Sequence, residues 1–166
     1  MFEHKRAKSA RRRGSVLVEG AMAILPLLAV LFAVVDFSVA IFVKNTVQFA
    51  VCQAVRYAVT SRTMGLLGQD ASIRAVVQLH TMGFLDSLSP DHIGNNRIAI
   101  TYYDPVSLIP VAGVGSNVGG NIVVVSASGL SWAWMVPLLR SAAPLQFSVS
   151  SADIMEATPI AGAPPR

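Results

Sequence analysis

Apolar positions dominate the chain from Val16 to Val43, and the only charged residues in that stretch are the carboxylates Glu19 and Asp36. Residues 20–35 carry no charge. As helix, that stretch measures about 24 Å at 1.5 Å per residue. With Val16, Leu17 and Val18 before it and residues 37–43 after it, the run can cross a hydrocarbon core of about 30 Å. Asp36 stands seventeen residues beyond Glu19, about 26 Å along a helix, and so near the far interface. Lys44 ends the run. Pro26 removes one backbone donor and predicts a kink, which a lipid-embedded helix tolerates when neighbours satisfy the freed carbonyl.

Past the apolar run the helical period continues. Val47, Ala50, Val51, Ala54, Val55, Ala58 and Val59 fall on one face at 100° per residue, opposite Gln53, Arg56 and Thr60. Phe49 sits in the polar stripe, and Gln48 interrupts the apolar one. The pattern predicts one helix from about Ser15 to Thr63, ended by Gly65 and Gly68. Its second half would lie on a small domain, or pack its alanine-rich stripe on neighbouring copies. A second helix is expected from Asp70 or Ser72 to about Met82, with Asp70 as N-cap. Ile73, Val76, Val77 and His80 share its inner face, His80 as a half-buried edge.

The last seventy residues change period. Residues 97–103, 121–128 and 146–151 alternate or are rich in β-branched side chains and predict strands. Turn residues fill 87–96, and a long Gly-, Pro- and Val-rich loop is expected over 104–120. Trp132, Trp134, Met135, Leu138 and Leu139 form an apolar insert, expected as a helical turn before Pro144. It would be a lid on the core or a contact for another subunit. The fold class expected is α+β: a long N-terminal helix, membrane-spanning in its first half, packed by its second half on a small antiparallel sheet. The expected organisation is a leader over 1–14, the helix over 15–64, an extracytoplasmic domain over 65–158 and a flexible tail over 159–166.

Charge sharpens this reading. Lys5, Arg6, Lys8, Arg11, Arg12 and Arg13 against Glu3 give the leader a net +5, so the rest of this +4 chain carries −1. No basic face survives for nucleic acid. The arginines before the apolar run place the N-terminus in the cytoplasm and the domain beyond Lys44 outside it. A cleavable secretory signal would have a shorter apolar core of about 7–15 residues, and a mitochondrial presequence lacks so long an apolar run. A plain signal anchor explains length and flank but not Glu19, because an ionisable group in lipid is expensive without a partner. Cys52 is the lone cysteine, so no disulfide can form within the chain.

Catalytic chemistry is not in evidence. His4, His80 and His92 have no metal-ligand spacing, and a site from His80, Asp86, Asp91 and His92 is the best set available. Gly113, Gly115 and Gly119 suggest a phosphate loop, but no lysine or helix follows, so they read as turns. No enzyme activity, cofactor or metal is expected.

The segment Arg13-Gly14-Ser15-Val16-Leu17-Val18-Glu19 resembles the cleavage site of type IV prepilins. Its continuation through Gly20-Ala21-Met22-Ala23-Ile24-Leu25-Pro26 resembles the TadE-like minor pilins, or pseudopilins, of the tight adherence (Flp, type IVb) pilus system. Asp36-Phe37 falls where that family often has an acidic residue, and Ala54-Val55-Arg56-Tyr57-Ala58 is similar to its segment after the membrane. The specific resemblance spans about 11–62. An aromatic residue often follows the family's Glu, where this chain has Gly20.

The resemblance implies processing between Gly14 and Ser15 by a prepilin peptidase, with Glu19 as assembly and recognition residue and Asp36 as the distal acidic residue. Trp132 and Trp134 are candidates for a subunit contact. The implied partners are the peptidase, other pilins or pseudopilins, the inner-membrane assembly platform and lipid. The implied location is the bacterial inner membrane, single-pass, with possible incorporation into the pilus. The alternative is an uncleaved, signal-anchored binding module using the 104–120 loop and the tryptophans.

Overall fold

The computed structural model describes residues 3–136, 140–157 and 162–166, with side chains from Val16 onward. Its elements run α1 (Glu3–Val59), α2 (Gln69–Thr81), α3 (Phe84–Leu88), a 3-10 turn (Gly94–Arg97), β1 (Ile98–Tyr103), β2 (Pro110–Val111), β3 (Ile122–Trp132) and β4 (Leu145–Ile154). The expected α+β class holds: a long apolar helix is packed on a small antiparallel four-stranded sheet. The chain forms two compact units.

One unit combines the part of α1 up to Val39 with the described residues between Trp134 and Ala142. Its helix is continuous through Pro26. Val16, Leu17, Met22, Leu25 and Leu27 are all more than 60% exposed, which is the surface of a helix awaiting an apolar surround. Ser38 returns its hydroxyl to the Val34 carbonyl at 2.7 Å, so that polar group needs no water.

The second unit holds Ala40–Ala133 and Ala143–Arg166. Here the face expected from periodicity is buried up to its last member: Val47, Ala50, Val51, Ala54, Val55 and Ala58 are all at most 2% exposed, Val59 is only half-buried, and Val43, one turn earlier, joins them at 1%. Alanine and valine keep this stripe small and fully apolar where it packs in the core. Gln48, the interruption, is used: its Nε2 donates to Ser150 O at 3.0 Å on β4. α1 ends at Val59, before the glycines, and Ser61 takes a left-handed conformation at φ 52°. The Glu156 N–H then caps the Val59 carbonyl at 3.1 Å. At its other end α1 starts at Glu3, twelve residues before the expected Ser15.

The sheet order is β2-β1-β3-β4, antiparallel throughout. Tyr102, Val123, Val125, Ala127, Leu130 and Val149 point inward, with Ile73 and Val77 of α2 joining them in the core. β3 is longer than expected. It continues through a bulge between Ala127 and Leu130, where Gly129 sits at φ 69°, and ends by pairing Trp132 with Leu145. Trp132 is therefore a strand residue and not part of an insert. Trp134 and Met135 lie in the hairpin connection with no helical turn, while Leu138 and Leu139 fall outside the described residues. The 104–120 loop is also more ordered than expected, because it contains β2 on the sheet edge.

Candidate functional site

Glu19 is exposed on α1, with no hydrogen-bond or ion-pair partner among the described residues. Around it Val16, Leu17, Val18 and Met22 are exposed as well. A carboxylate in that setting is costly until a partner of opposite charge arrives. The backbone of Gly14 and Ser15 is helical, and the Ser15 side chain lies outside the described residues.

Asp36 differs. It is 1% exposed, and its Oδ2 accepts the backbone N–H of Met135 at 2.8 Å and of Val136 at 3.1 Å. Charge-assisted bonds of this kind offset the cost of removing a carboxylate from water. Trp134, directly before these donors, is half-buried and Met135 is 61% exposed. Backbone donors have no sequence signature, so the pairing across 99 and 100 positions was not visible from residue types.

In the second unit, Asp70 is not the N-cap expected for α2. Gly68 holds that position, and Asp70 stands in the first turn. Its Oδ1 accepts from Tyr102 Oη at 2.9 Å, and its Oδ2 pairs with Arg166 Nη2 at 2.8 Å. The Arg166 guanidinium also lies 4.8 Å from the centre of the Tyr102 ring. Burial first, then the Asp70 charge and hydrogen bond, push the Tyr102 phenol well above its ordinary pKa, with Arg166 acting the other way. Behind them, Gln69 donates to Ala58 O at 3.0 Å and accepts from Asn117, whose Nδ2 also reaches Pro164 O at 2.8 Å. The tail expected from residue 159 is described only from 162. There it contributes Pro165 O to Gln69 N at 2.7 Å and Arg166 to Asp70.

Two of the concavities among the described residues of this unit differ in size. The larger, about 940 Å³, is bounded by Arg74, Val114, Val118 and Pro165. The smaller, about 420 Å³, is bounded by Arg56, Tyr57, Arg62 and His80. His80 is half-buried as expected, with Phe49 edge-on at 5.9 Å. Of the four residues considered for a metal, His80 meets Phe49 in this way and the two carboxylates are engaged elsewhere. Asp86 accepts from Gly94 N at 2.7 Å, and Asp91 pairs with Arg97 at 3.3 Å. Desolvation acts upward on Asp91, but the Ile93 N–H, Asn96 and Arg97 hold its carboxyl below the usual range. Among the described residues no three metal-ligating side chains converge.

The part of the chain with the plainest signal is therefore the apolar helix, whose most apolar 18-residue window has mean hydropathy 2.6 and is 11% buried. Residues 14–56 match the TadE-like protein family. The matched segment begins at Gly14 and takes in Glu19, Asp36 and the first buried turns of the α1 stripe. It is consistent with a TadE-like protein of the Tad pilus system, a structural and non-enzymatic kind of protein. The TadE-like segment suggests a Tad pilus-associated minor pilin, and its long apolar helix suggests a membrane anchor. No curated protein and no solved structure matches the chain.

Proposed function

We propose that this TadE-like chain is a minor pilin cut after Gly14 by a prepilin peptidase and assembled, through α1, into a tight adherence pilus or its initiation complex. The observation that carries this reading is the exposed Glu19, five residues after Gly14, on a helix whose surroundings are otherwise apolar. Cleavage creates an ammonium at Ser15. The Glu19 carboxylate of an adjacent copy or related pilin pairs with it. Breaking one side of such a low-dielectric pair costs about 3–5 kcal/mol, enough to set the register between helices. The basic leader holds the N-terminus on the cytoplasmic face of the inner membrane and is removed with its +5 charge. Other pilins and the inner-membrane assembly platform are the partners this requires.

The test is the intact mass of protein extracted from membranes of a cell with an active pilus system. The expected chain begins at Ser15, and Gly14→Phe retains the leader. Wild-type chain beginning at Met1 would reject processing and favour an uncleaved anchor carrying a binding module.

A further inference from the structure

Asp36 binds two backbone amides of a connection that also carries Trp134 and Met135. A carboxylate at this depth in an apolar helix needs donors, and a non-helical backbone entering lipid needs acceptors. Each solves the other's problem. Trp134, Met135 and Val136 belong to the same compact unit as the exposed apolar part of α1. On the helix, Asp36 is flanked by Val35 at 52% exposure and Phe37 at 50%. Met135 at 61% extends that apolar surface off the helix. Arg140, exposed in the same unit, adds a cation suited to a lipid phosphate.

We propose that Asp36 pins this connection so that Trp134 and Met135 seat in the boundary between headgroups and acyl chains of the leaflet beside Asp36. The occupant is lipid, because the patch continues the surface by which α1 meets the bilayer. Tryptophan as a residue type favours this depth, because its ring is amphipathic. Asp36 is the positioning residue, and Trp134 and Met135 make the contact. The inference rests on the membrane-anchor part of the proposed function, not on cleavage or pilus assembly.

Trp132 and Trp134 are the chain's two tryptophans, so Trp132→Phe leaves Trp134 as sole reporter. The full chain with that change is reconstituted in phosphatidylcholine vesicles carrying bromine near the headgroup end of the acyl chain or near its methyl end. The expected result is quenching of Trp134 by about twofold with the shallow bromines and less with the deep ones. Adding Asp36→Ala should abolish most of this quenching while the protein still resists alkaline carbonate extraction. Resistance to extraction with no quenching overturns the lipid contact and leaves the anchor standing. Quenching unchanged by Asp36→Ala overturns the pinning role. An emission shift that follows protein-to-lipid ratio without bromine quenching assigns Trp134 to a neighbouring copy and also overturns it. Release by carbonate overturns the anchor itself.

Discussion

The Tyr102 hydroxyl donates to the Asp70 carboxylate at 2.9 Å, joining the centre of the sheet to the first turn of α2. Burial and Asp70 raise the folded-state pKa of Tyr102, so the unfolded chain ionises first, near the ordinary value of about 10. The stabilisation is complete below that pH and is lost as pH rises above it. Thermal unfolding in detergent, followed by circular dichroism, should show a midpoint that falls above about pH 10. Tyr102→Phe should flatten that alkaline fall and cost about 0.5–1.5 kcal/mol at neutral pH.

Ala54 is fully buried where α1 meets the sheet. Ala54→Leu adds volume at a site with no exposed surface and should destabilise the domain by about 1–3 kcal/mol. Gln53, its half-buried neighbour on the polar stripe, is the control: Gln53→Leu should change stability by no more than about 0.5 kcal/mol. Denaturant midpoints of the two variants check this.

Glu19→Ala removes an exposed carboxylate from an apolar helix. Insertion should remain intact or improve, since such a group costs about 2.5–3.5 kcal/mol on insertion scales. Co-isolation with other pilins and the number of surface pili should fall. Glu19→Gln keeps a hydrogen-bonding group without the ion pair and should fall as well. Assembly at wild-type level by both variants would remove Glu19 as the register device.

The leader carries +5 and the remainder −1, and the proposed anchor should therefore leave its domain outside the cytoplasm. A reporter active only outside the cytoplasm, fused after Arg166, should be active. Activity of a cytoplasm-only reporter at the same position would reverse the assigned orientation.

What could be read from the sequence follows from the range of the forces involved. The buried face of α1 was legible because residues three and four apart must share a side of any helix, whatever lies opposite. β1 and β4 were legible from alternation, and β3 from its run of β-branched residues. β3 was ended at Ser128 in that reading because the β-branched run stops before Gly129, whereas in the fold the register shifts between Ala127 and Leu130 and pairing resumes. The two-residue β2 was missed because Pro110 argues against a strand, although a sheet edge tolerates proline. Asp70 looked like a cap from its neighbours, but Tyr102 and Arg166, both distant in sequence, claim its carboxylate. Glu19 stood out because it is wrong locally. Asp36 stood out for the same reason, yet its donors at 135 and 136 are main-chain atoms that no residue type announces.

Two hydrogen bonds tie α1 to β4 and the residues after it: Gln48 to Ser150 O, and Glu156 N–H to the Val59 carbonyl. Both partners advance in the same chain direction, from Gln48 to Val59 about 16 Å along the helix and from Ser150 through the end of β4 to Glu156. Tension along the helix therefore loads the two links together with the buried stripe between them, sliding one surface over the other. Contacts arranged in shear share a pulling force, whereas contacts opened in sequence fail one at a time. A subunit held in a fibre by its N-terminal helix is, in this geometry, gripped lengthwise.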